Sequence, residues 1–370
     1  MKNSGQSRIK SIGWGFGLCD MNCPKCYSHA GSGRRAPCYA IEELQAVADK
    51  ICDAGVTDIN YGTGEFIMNP NVVDLLRYIH DRYPAVKQAV TTNGATLKLI
   101  DKALLRHFHD VDISVDFADP ETHNRSRGHP LAWKWIIEGL KILEDLGMEK
   151  SIVTCVTGTH TDKDLLELLE FCELHDATGR YNFFRETGAQ KDLPGLVVSA
   201  KRHWEIIRLL VKEGVVFESL SDPLLAAIFG KANEYGLKGC PCGQVSCRIQ
   251  KDMEVTPCVY LGGPLWSAGN IQKVSLASVY ETDPFRRIRE RYPKECRECK
   301  YGDVCRGGCA SRAYLSGGDL NLRDVYCPFL AGPEVMEIVE EIRELGIKTG
   351  TGTEKVHDGY LCTIMHRRNS

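Results

Sequence analysis

Residues 9–26 read IKSIGWGFGLCDMNCPKC, and this stretch decides the fold. Ile9–Phe16 is β-rich and reads as a strand. Cys19, Cys23 and Cys26 follow it directly, three thiols within eight residues of one loop. Working outward, Ile41, Leu44, Val47, Ala48 and Ile51 recur at helical spacing, and Gly55 closes that helix. Val56–Tyr61 reads as a strand. Pro70 opens a helix with Val73, Leu76 and Ile79 on one face. Lys87–Thr92 is a strand, and Val111, Ile113 and Val115 alternate in another. Trp135–Leu146 is a helix stopped at Gly147, Ser151–Thr157 a β-branched strand, and Asp164–Leu174 a helix. Arg180–Phe184 and His203–Val211 add a sixth strand and helix. Six β-α units argue an α/β fold with a parallel sheet, open or partly closed as a barrel. In such folds the chemistry sits at the C-terminal ends of the strands, where the cysteine loop lies.

The pattern breaks after about Leu220. Residues 240–327 hold nine of the 17 cysteines, with many Gly and Pro and little periodicity, so metal is expected to organise them. A terminal helix, Glu334–Leu345, begins after Pro333 and ends at Gly346. The expected domains are therefore 1–220, 221–348 and a polar, flexible tail 349–370 that contains Cys362. With 43% hydrophobic and 26% charged residues, the 370-residue chain reads as a globular protein with a large core. A net charge of −3 argues against a nucleic-acid partner recruited by bulk positive charge. There is no signal-peptide apolar segment and no apolar run long enough for a membrane span. A cytoplasmic chain keeps its thiols reduced, and clustered cysteines there mean metal or catalysis more often than disulfides.

An iron–sulfur cubane normally takes four Cys ligands, so three close ones leave one iron open to a ligand that is not protein. Zinc is the alternative, but it needs a fourth ligand, and His29 is the only local candidate. The Cys-x3-Cys-x2-Cys loop after the first strand resembles that of radical S-adenosylmethionine (SAM) enzymes. The resemblance continues in chain order. Tyr61-Gly-Thr63-Gly64-Glu65 resembles the family's Gly-Gly-Glu turn, and Glu65 is placed to accept hydrogen bonds from an ammonium group. Asn93-Gly94 ends the third strand. Ser114 and Asp116 lie opposite Ile113 and Val115, within expected reach of ribose hydroxyls. His123-Asn-Arg125-Ser-Arg127-Gly128 stands where the peptide-modifying branch carries His and Arg-Gly. The resemblance implies a partial (β/α)6 TIM-like barrel and a 4Fe–4S cluster on Cys19, Cys23 and Cys26. Tyr27, Thr63, Gly64, Glu65, Asn93, Ser114 and Asp116 are the implied SAM contacts. Two motifs depart from the family pattern: Lys25 stands before the third Cys where an aromatic residue is common, with Tyr27 just after that Cys, and the Gly-Gly-Glu-Pro form is Thr63-Gly64-Glu65-Phe66.

Cys296-x2-Cys299-x5-Cys305-x3-Cys309, then Cys327, resembles the SPASM extension of radical SAM enzymes. Val255-Thr-Pro-Cys258 matches part of it, although Met253 replaces the expected Gly. The resemblance implies two auxiliary 4Fe–4S clusters, three clusters in all. Cys296, Cys299, Cys305 and Cys327 would hold the outer one. Cys247, Cys258 and Cys309, with Cys240 or Cys242 fourth, would hold the inner one; Cys240 is preferred. Two zinc ribbons are the alternative. Six cysteines remain: Cys38, Cys52, Cys155, Cys172, Cys362 and the unused one of Cys240 and Cys242. Cys52, Cys155 and Cys172 lie in predicted elements and read as core residues. Arg34-Arg35 and the run Arg286, Arg287, Arg289 and Arg291 read as solvated faces. Trp133 and Trp135 are expected to cover the barrel.

The resemblance implies an enzyme that cleaves SAM reductively and abstracts hydrogen from a ribosomally made precursor peptide, leading to crosslinking, epimerisation, oxidation or backbone excision. Only 18 residues precede Cys19, so a separate leader-peptide-binding protein is expected, along with an electron donor such as flavodoxin or ferredoxin. Rival readings are oxidation of a small-molecule alcohol or a sulfatase, and a non-catalytic zinc-binding interaction protein. Sulfatase maturases place Asp after the cysteine matched here by Cys258, whereas this chain has Val259.

Overall fold

The structure, a computed structural model, describes residues 7–31, 33, 35–187, 193, 195–218, 221–230, 236–349 and 363–367. Arg34, Cys362 and most of the expected tail lie outside them. The chain divides into two compact units. One comprises the chain up to Val153 together with Cys242–Arg286; the other comprises Thr154–Pro241 and the chain from Arg287 onward. These units divide the chain elsewhere than the expected boundary near residue 220. The cysteine-rich segment is split, because part of it extends the sheet of the first unit.

In the first unit β1 (Ser11–Gly15), β2 (Asp58–Gly62), β3 (Lys87–Thr92), β4 (Asp110–Ser114) and β5 (Lys150–Val156) pair in parallel, in chain order. Between them run α1 (Ile41–Asp53), α2 (Val72–Arg82), the short α3 (Lys102–Leu105), α4 (Pro120–Arg127) and α5 (Ala132–Asp145). One face of the sheet is apolar and fully buried: Ile12, Trp14, Ile59, Tyr61, Val111, Ile113 and Ile152. Burying each such side chain contributes about 1.5–3 kcal/mol. The helices turn Leu44, Val47 and Ile51, and Ile136, Leu140 and Leu143, inward as their periodicity requires. Helix α2 starts two residues after Pro70. Asn71 adopts a left-handed conformation (φ 66°) and donates to Tyr39 O, which shifts the buried set to Val72, Leu75, Leu76 and Ile79.

The other edge of β1 is taken by β8 (Ser246–Ile249), parallel and in register Gly13↔Arg248, and β8 in turn pairs antiparallel with β9 (Val255–Thr256). The second unit contains α6 (Asp162–Leu174), β6 (Thr178–Phe183), α7 (Ala200–Lys212) and β7 (Val215–Glu218). Its core joins Trp204, Ile207 and Leu210 of α7 to Val335, Val339 and Ile342 of the terminal helix Pro333–Thr349. That helix passes through Gly346 instead of stopping there. A Cβ at Gly346 would come 2.3 Å from the Phe229 ring, so this glycine serves close packing. The expected tail also needs correction. Ile364–Arg367 forms β10, antiparallel to β7 and β6, with Met365 3% exposed. Among the described residues no helix is long and apolar enough to cross a membrane.

Candidate active site

The strand-end loops of β1 and β2 are laced together. Gly17 N and Phe16 N donate to Thr63 O at 2.8 and 3.3 Å, and Glu65 N donates to Leu18 O at 2.6 Å. Thr63 and Gly64 both have left-handed backbones, φ 72° and 91°. A Cβ on Gly64 would lie 2.3 Å from Leu18 O, so only glycine fits beneath the cysteine loop. The loop then turns tightly, with Cys26 N bonding Cys23 O at 3.1 Å.

The three thiols share one electrostatic environment: Cys19 feels Cys23, Cys23 feels Cys26, and the Arg127 guanidinium acts on all three. Burial pushes the Cys19 thiol up to about 12 and raises Cys23 as well. Both are therefore protonated near neutral pH, and a metal must displace those protons to bind. Cys23 Sγ donates to Arg127 O at 3.2 Å. Arg127 Nε is buried without a hydrogen-bond partner. A cation with an unfilled donor beside three thiols suits an anionic thiolate-bound cluster.

Asp116, 1% exposed, anchors this arrangement. Its Oδ2 meets Lys25 Nζ at 3.2 Å and Arg127 Nη1 at 3.5 Å, and accepts from Ser126 Oγ at 3.0 Å. Burial opposes its ionisation, but Lys25 and Arg127 outweigh it and hold the carboxyl below the usual range. Lys25, which departs from the family pattern, thus ties the cysteine loop to the end of β4. Gly128 completes the tie, since a Cβ there would come 2.5 Å from Asn22 O. His123 Nδ1 accepts from Asp116 N, and burial lowers its pKa to about 4. Asp116, an expected SAM contact, is bonded within the chain to Lys25, Arg127 and Ser126.

Glu65 is also 1% exposed. It accepts from Thr92 Oγ1 at 2.6 Å, from Asn93 N at 2.9 Å and from Thr96 Oγ1. Burial raises its pKa against these hydrogen bonds. A carboxylate accepts about four hydrogen bonds, so one site remains for an ammonium group. Asn93 Nδ2 donates to Asp20 Oδ1 at 2.7 Å and lies 3.9 Å from Cys19 Sγ. Ser114 is half-buried at the end of β4, and Tyr27 OH accepts from Arg248 Nη2 at 3.4 Å. All seven expected cofactor residues thus belong to one unit.

In the second unit Cys296, Cys299, Cys305 and Cys327 line one cavity of about 360 Å³, bordered by Lys300, Tyr301 and Arg323. Among the described residues no three His, Cys, Asp or Glu converge on a single-ion site. The expected solvated face is wrong for Arg291, which is 6% exposed. Its guanidinium donates to five carbonyls: Leu320 (2.6 Å), Arg306 (3.0 Å), Gly308 (2.9 Å), Gly307 (2.7 Å) and Leu322 (2.7 Å). Asp324 accepts from Cys309 N at 2.7 Å and pairs with Arg312, which also meets Asp222 at 2.8 Å. Cys309 is hydrogen-bonded to Cys240, which raises its thiol to about 12. Cys240 and Cys309 belong to this unit, and Cys242, Cys247 and Cys258 to the first. Cys52 and Cys172 are buried as expected, whereas Cys155 is half-buried and Cys38 exposed. Sequence reading missed Arg291 and Asp324, since a lone Arg or Asp in an aperiodic loop carries no spacing signal.

The chain matches the Radical SAM superfamily over residues 16–172 and the SPASM iron–sulfur cluster-binding domain over residues 240–300. It is a radical SAM enzyme with a SPASM domain, and its chemistry is reductive SAM cleavage supported by iron–sulfur clusters. It is 26% identical over 352 residues to the AdoMet-dependent heme synthase of Nitratidesulfovibrio vulgaris, covering 88% of this chain and 94% of the relative. It is also 26% identical over 321 residues to the mycofactocin maturase MftC of Mycolicibacterium smegmatis, covering 84% of this chain and 80% of that one. Its fold is similar to that of native anSMEcpe with bound AdoMet, with TM-score 0.70 and 17% identity over 92% of this chain and 99% of that one. The same protein is also known with AdoMet and the Cp18Cys peptide.

Proposed function

We propose that this enzyme modifies a ribosomally made precursor peptide, and that Cys19, Cys23 and Cys26 hold the cluster that binds SAM. The observation that carries the reading is the grouping of those three thiols at the end of β1 beside the buried, incompletely bonded Arg127. When bound, the cluster and SAM supply a 5′-deoxyadenosyl radical that abstracts a substrate hydrogen. The chain's own residues position and shield. Arg127 balances the thiolate charge, and Asp116 fixes Arg127 and Lys25. Glu65 holds the loops after β2 and β3 together and keeps one acceptor site for the SAM ammonium. Tyr27, Thr63, Gly64, Asn93, Ser114 and Asp116 complete the SAM-binding set.

Cys296, Cys299, Cys305 and Cys327 hold an outer auxiliary cluster. A third cluster, on Cys240, Cys247, Cys258 and Cys309, rests on the motif spacing. A separate leader-peptide-binding protein and a flavodoxin- or ferredoxin-type donor would complete the system. The maturase relative supports a peptide substrate, whereas the heme synthase relatives favour a second reading, a small-molecule substrate.

Anaerobic reconstitution tests the cofactors: about 12 iron atoms per chain are expected, four for each of three cubanes. Stoichiometric zinc without iron would overturn the cluster assignment. Turnover with deuterated candidate peptides, followed by mass spectrometry of 5′-deoxyadenosine, tests the substrate. Label arriving only from a small molecule would replace the peptide reading.

A further inference from the structure

The sheet of the first unit has an unusual second face. Opposite its buried apolar residues stand Gly13 and Gly15 on β1, Asn60 and Gly62 on β2, Thr91 on β3 and Asp112 and Ser114 on β4. No large apolar side chain fills this row. Instead Arg248, in register with Gly13 on the neighbouring strand, lays its guanidinium across the two glycines. A Cβ on Gly13 would come 1.6 Å from Arg248 Nη1, and one on Gly62 would come 3.7 Å from Nη2. The glycines make the space in which this cation sits.

Arg248, half-buried, differs from Arg127, Arg291 and Arg312. Arg127 pairs with Asp116, Arg312 with Asp324 and Asp222, and Arg291 spends its donors on five carbonyls. Arg248 has five donor hydrogens and, among the described residues, one long hydrogen bond, 3.4 Å to Tyr27 OH, with no carboxylate partner. Its Nε is buried and unpartnered. So is Nδ2 of Asn60, 7% exposed and paired with Gly13 across the sheet. These two groups are donors and call for an acceptor, and the guanidinium favours one carrying negative charge even though the buried carboxylate of Asp112 shares this face. Gly13 lies two residues before the end of β1, about 6–7 Å deeper than the strand end that carries the cysteine loop. From there the side chain runs toward Gly62 at the end of β2 and Tyr27 OH, so the guanidinium lies beside the expected SAM-binding residues and is free to face a substrate next to SAM.

We propose that Arg248, assisted by Asn60, binds a carboxylate of the substrate, so that the enzyme selects a substrate with an acidic side chain or terminus near the reacting carbon. This rests on the reading of the site as that of a SAM-cleaving enzyme, but its test needs no turnover. The reconstituted, SAM-loaded enzyme is titrated with glutarate and with its neutral counterpart glutaramide, and binding is read by saturation-transfer NMR. Glutarate binds and glutaramide does not. Arg248→Gln weakens glutarate roughly ten- to hundredfold, the worth of a charged hydrogen-bonded pair. Asn60→Ala weakens it by roughly three- to tenfold and serves if the arginine variant fails to fold. SAM affinity, measured by equilibrium dialysis, stays within about twofold in Asn60→Ala, and in Arg248→Gln, whose wild-type guanidinium touches Tyr27, it falls by clearly less than glutarate affinity. The proposal is overturned if glutarate and glutaramide bind alike, or if neither variant weakens glutarate. A parallel loss of SAM affinity also overturns it, because the carboxylate held would then be that of SAM. Failure of iron loading or of SAM cleavage in the wild type would sink the functional reading instead.

Discussion

The two cysteine sets are built in opposite ways. Cys19, Cys23 and Cys26 occupy a short loop suspended from the ends of β1 and β2, and the sheet supplies most of their orientation. Two backbone hydrogen bonds from the loop to Thr63 O, and one from Glu65 N to Leu18 O, fix where the loop begins. One buried carboxylate, Asp116, then holds the two cations that flank the thiols. Cys296, Cys299, Cys305 and Cys327 span a segment without a strand of its own. There a single guanidinium, Arg291, gathers carbonyls from residues 306–308 and 320–322, and Asp324 fastens Cys309. A loop on strand ends inherits its geometry, whereas a loop without a sheet must be scaffolded from inside by a buried, fully bonded charge.

The largest expected effect tests the first set. Cys19→Ala removes one of only three thiol ligands, so reductive SAM cleavage is abolished while the auxiliary iron stays. Iron content should fall from about 12 to about 8 per chain, four for each cubane lost. Unchanged cleavage would remove Cys19 from the site. Next comes the second set. Arg291→Met strands five buried carbonyls, each worth about 1–3 kcal/mol when unsatisfied, less what water recovers. Destabilisation of about 3–5 kcal/mol is expected by thermal or denaturant unfolding, as for removal of one member of a buried charged network. The iron lost should be auxiliary iron. Arg291→Lys should not rescue, because an ammonium cannot reach five acceptors that a planar fork spans.

The contrast also explains what was legible in the sequence. The β-α alternation and the spacing of Cys19, Cys23 and Cys26 are periodic or local signals, and β1–β6 lie where the alternation predicts them. The motif glycines were readable for the same reason: Gly64 follows β2 and Gly128 caps α4, and each packs against a neighbour's carbonyl. Three things were not readable. The pairing of β8 with β1 is a long-range contact of a four-residue strand, which no local pattern signals. Arg291 looks in sequence like one more residue of a solvated basic run, and only its five carbonyl partners distinguish it. Asp116 sits at a position the family pattern assigns to the cofactor, and its ion pair with Lys25, a departure from that pattern, carries no spacing signal.

Asp116→Asn sharpens the comparison further. It leaves Lys25 and Arg127, whose side chains are 8% and 16% exposed, without their counter-charge. A loss of about 2–3 kcal/mol is expected, the worth of hydrogen bonds to charged groups, with iron lost from the first set only. Equal loss from both sets would mean that Asp116 acts on the fold as a whole. A pH series separates metal-free from loaded protein. Burial raises Cys19 from about 9 to about 12, and Cys247 likewise. The folded, metal-free chain therefore keeps protons that the unfolded chain releases above pH 9. That contribution to stability is complete below pH 9 and fades as pH rises toward 12. The metal-free Tm should fall between about pH 8 and pH 10, whereas the loaded chain, whose ligands are already thiolates, should be flatter.

The smallest effect concerns β10, which belongs to neither cysteine set. Met365 is 3% exposed between β7 and β6, and Arg367 donates to Glu213 O at 2.9 Å and pairs with Glu173 at 3.0 Å. Surface pairs of this kind contribute at most about 1 kcal/mol, so the strand is held chiefly by Met365 and its ladder. Met365→Ala should cost about 2 kcal/mol, at the low end for a buried methionine because a four-residue strand relaxes easily. If scaffolding of the second set is local to Arg291 and Asp324, its iron content should not change in this variant. A parallel loss of iron would show that the outer cysteines depend on the β6–β10–β7 ladder, and the contrast between sheet-hung and charge-scaffolded sites would fail.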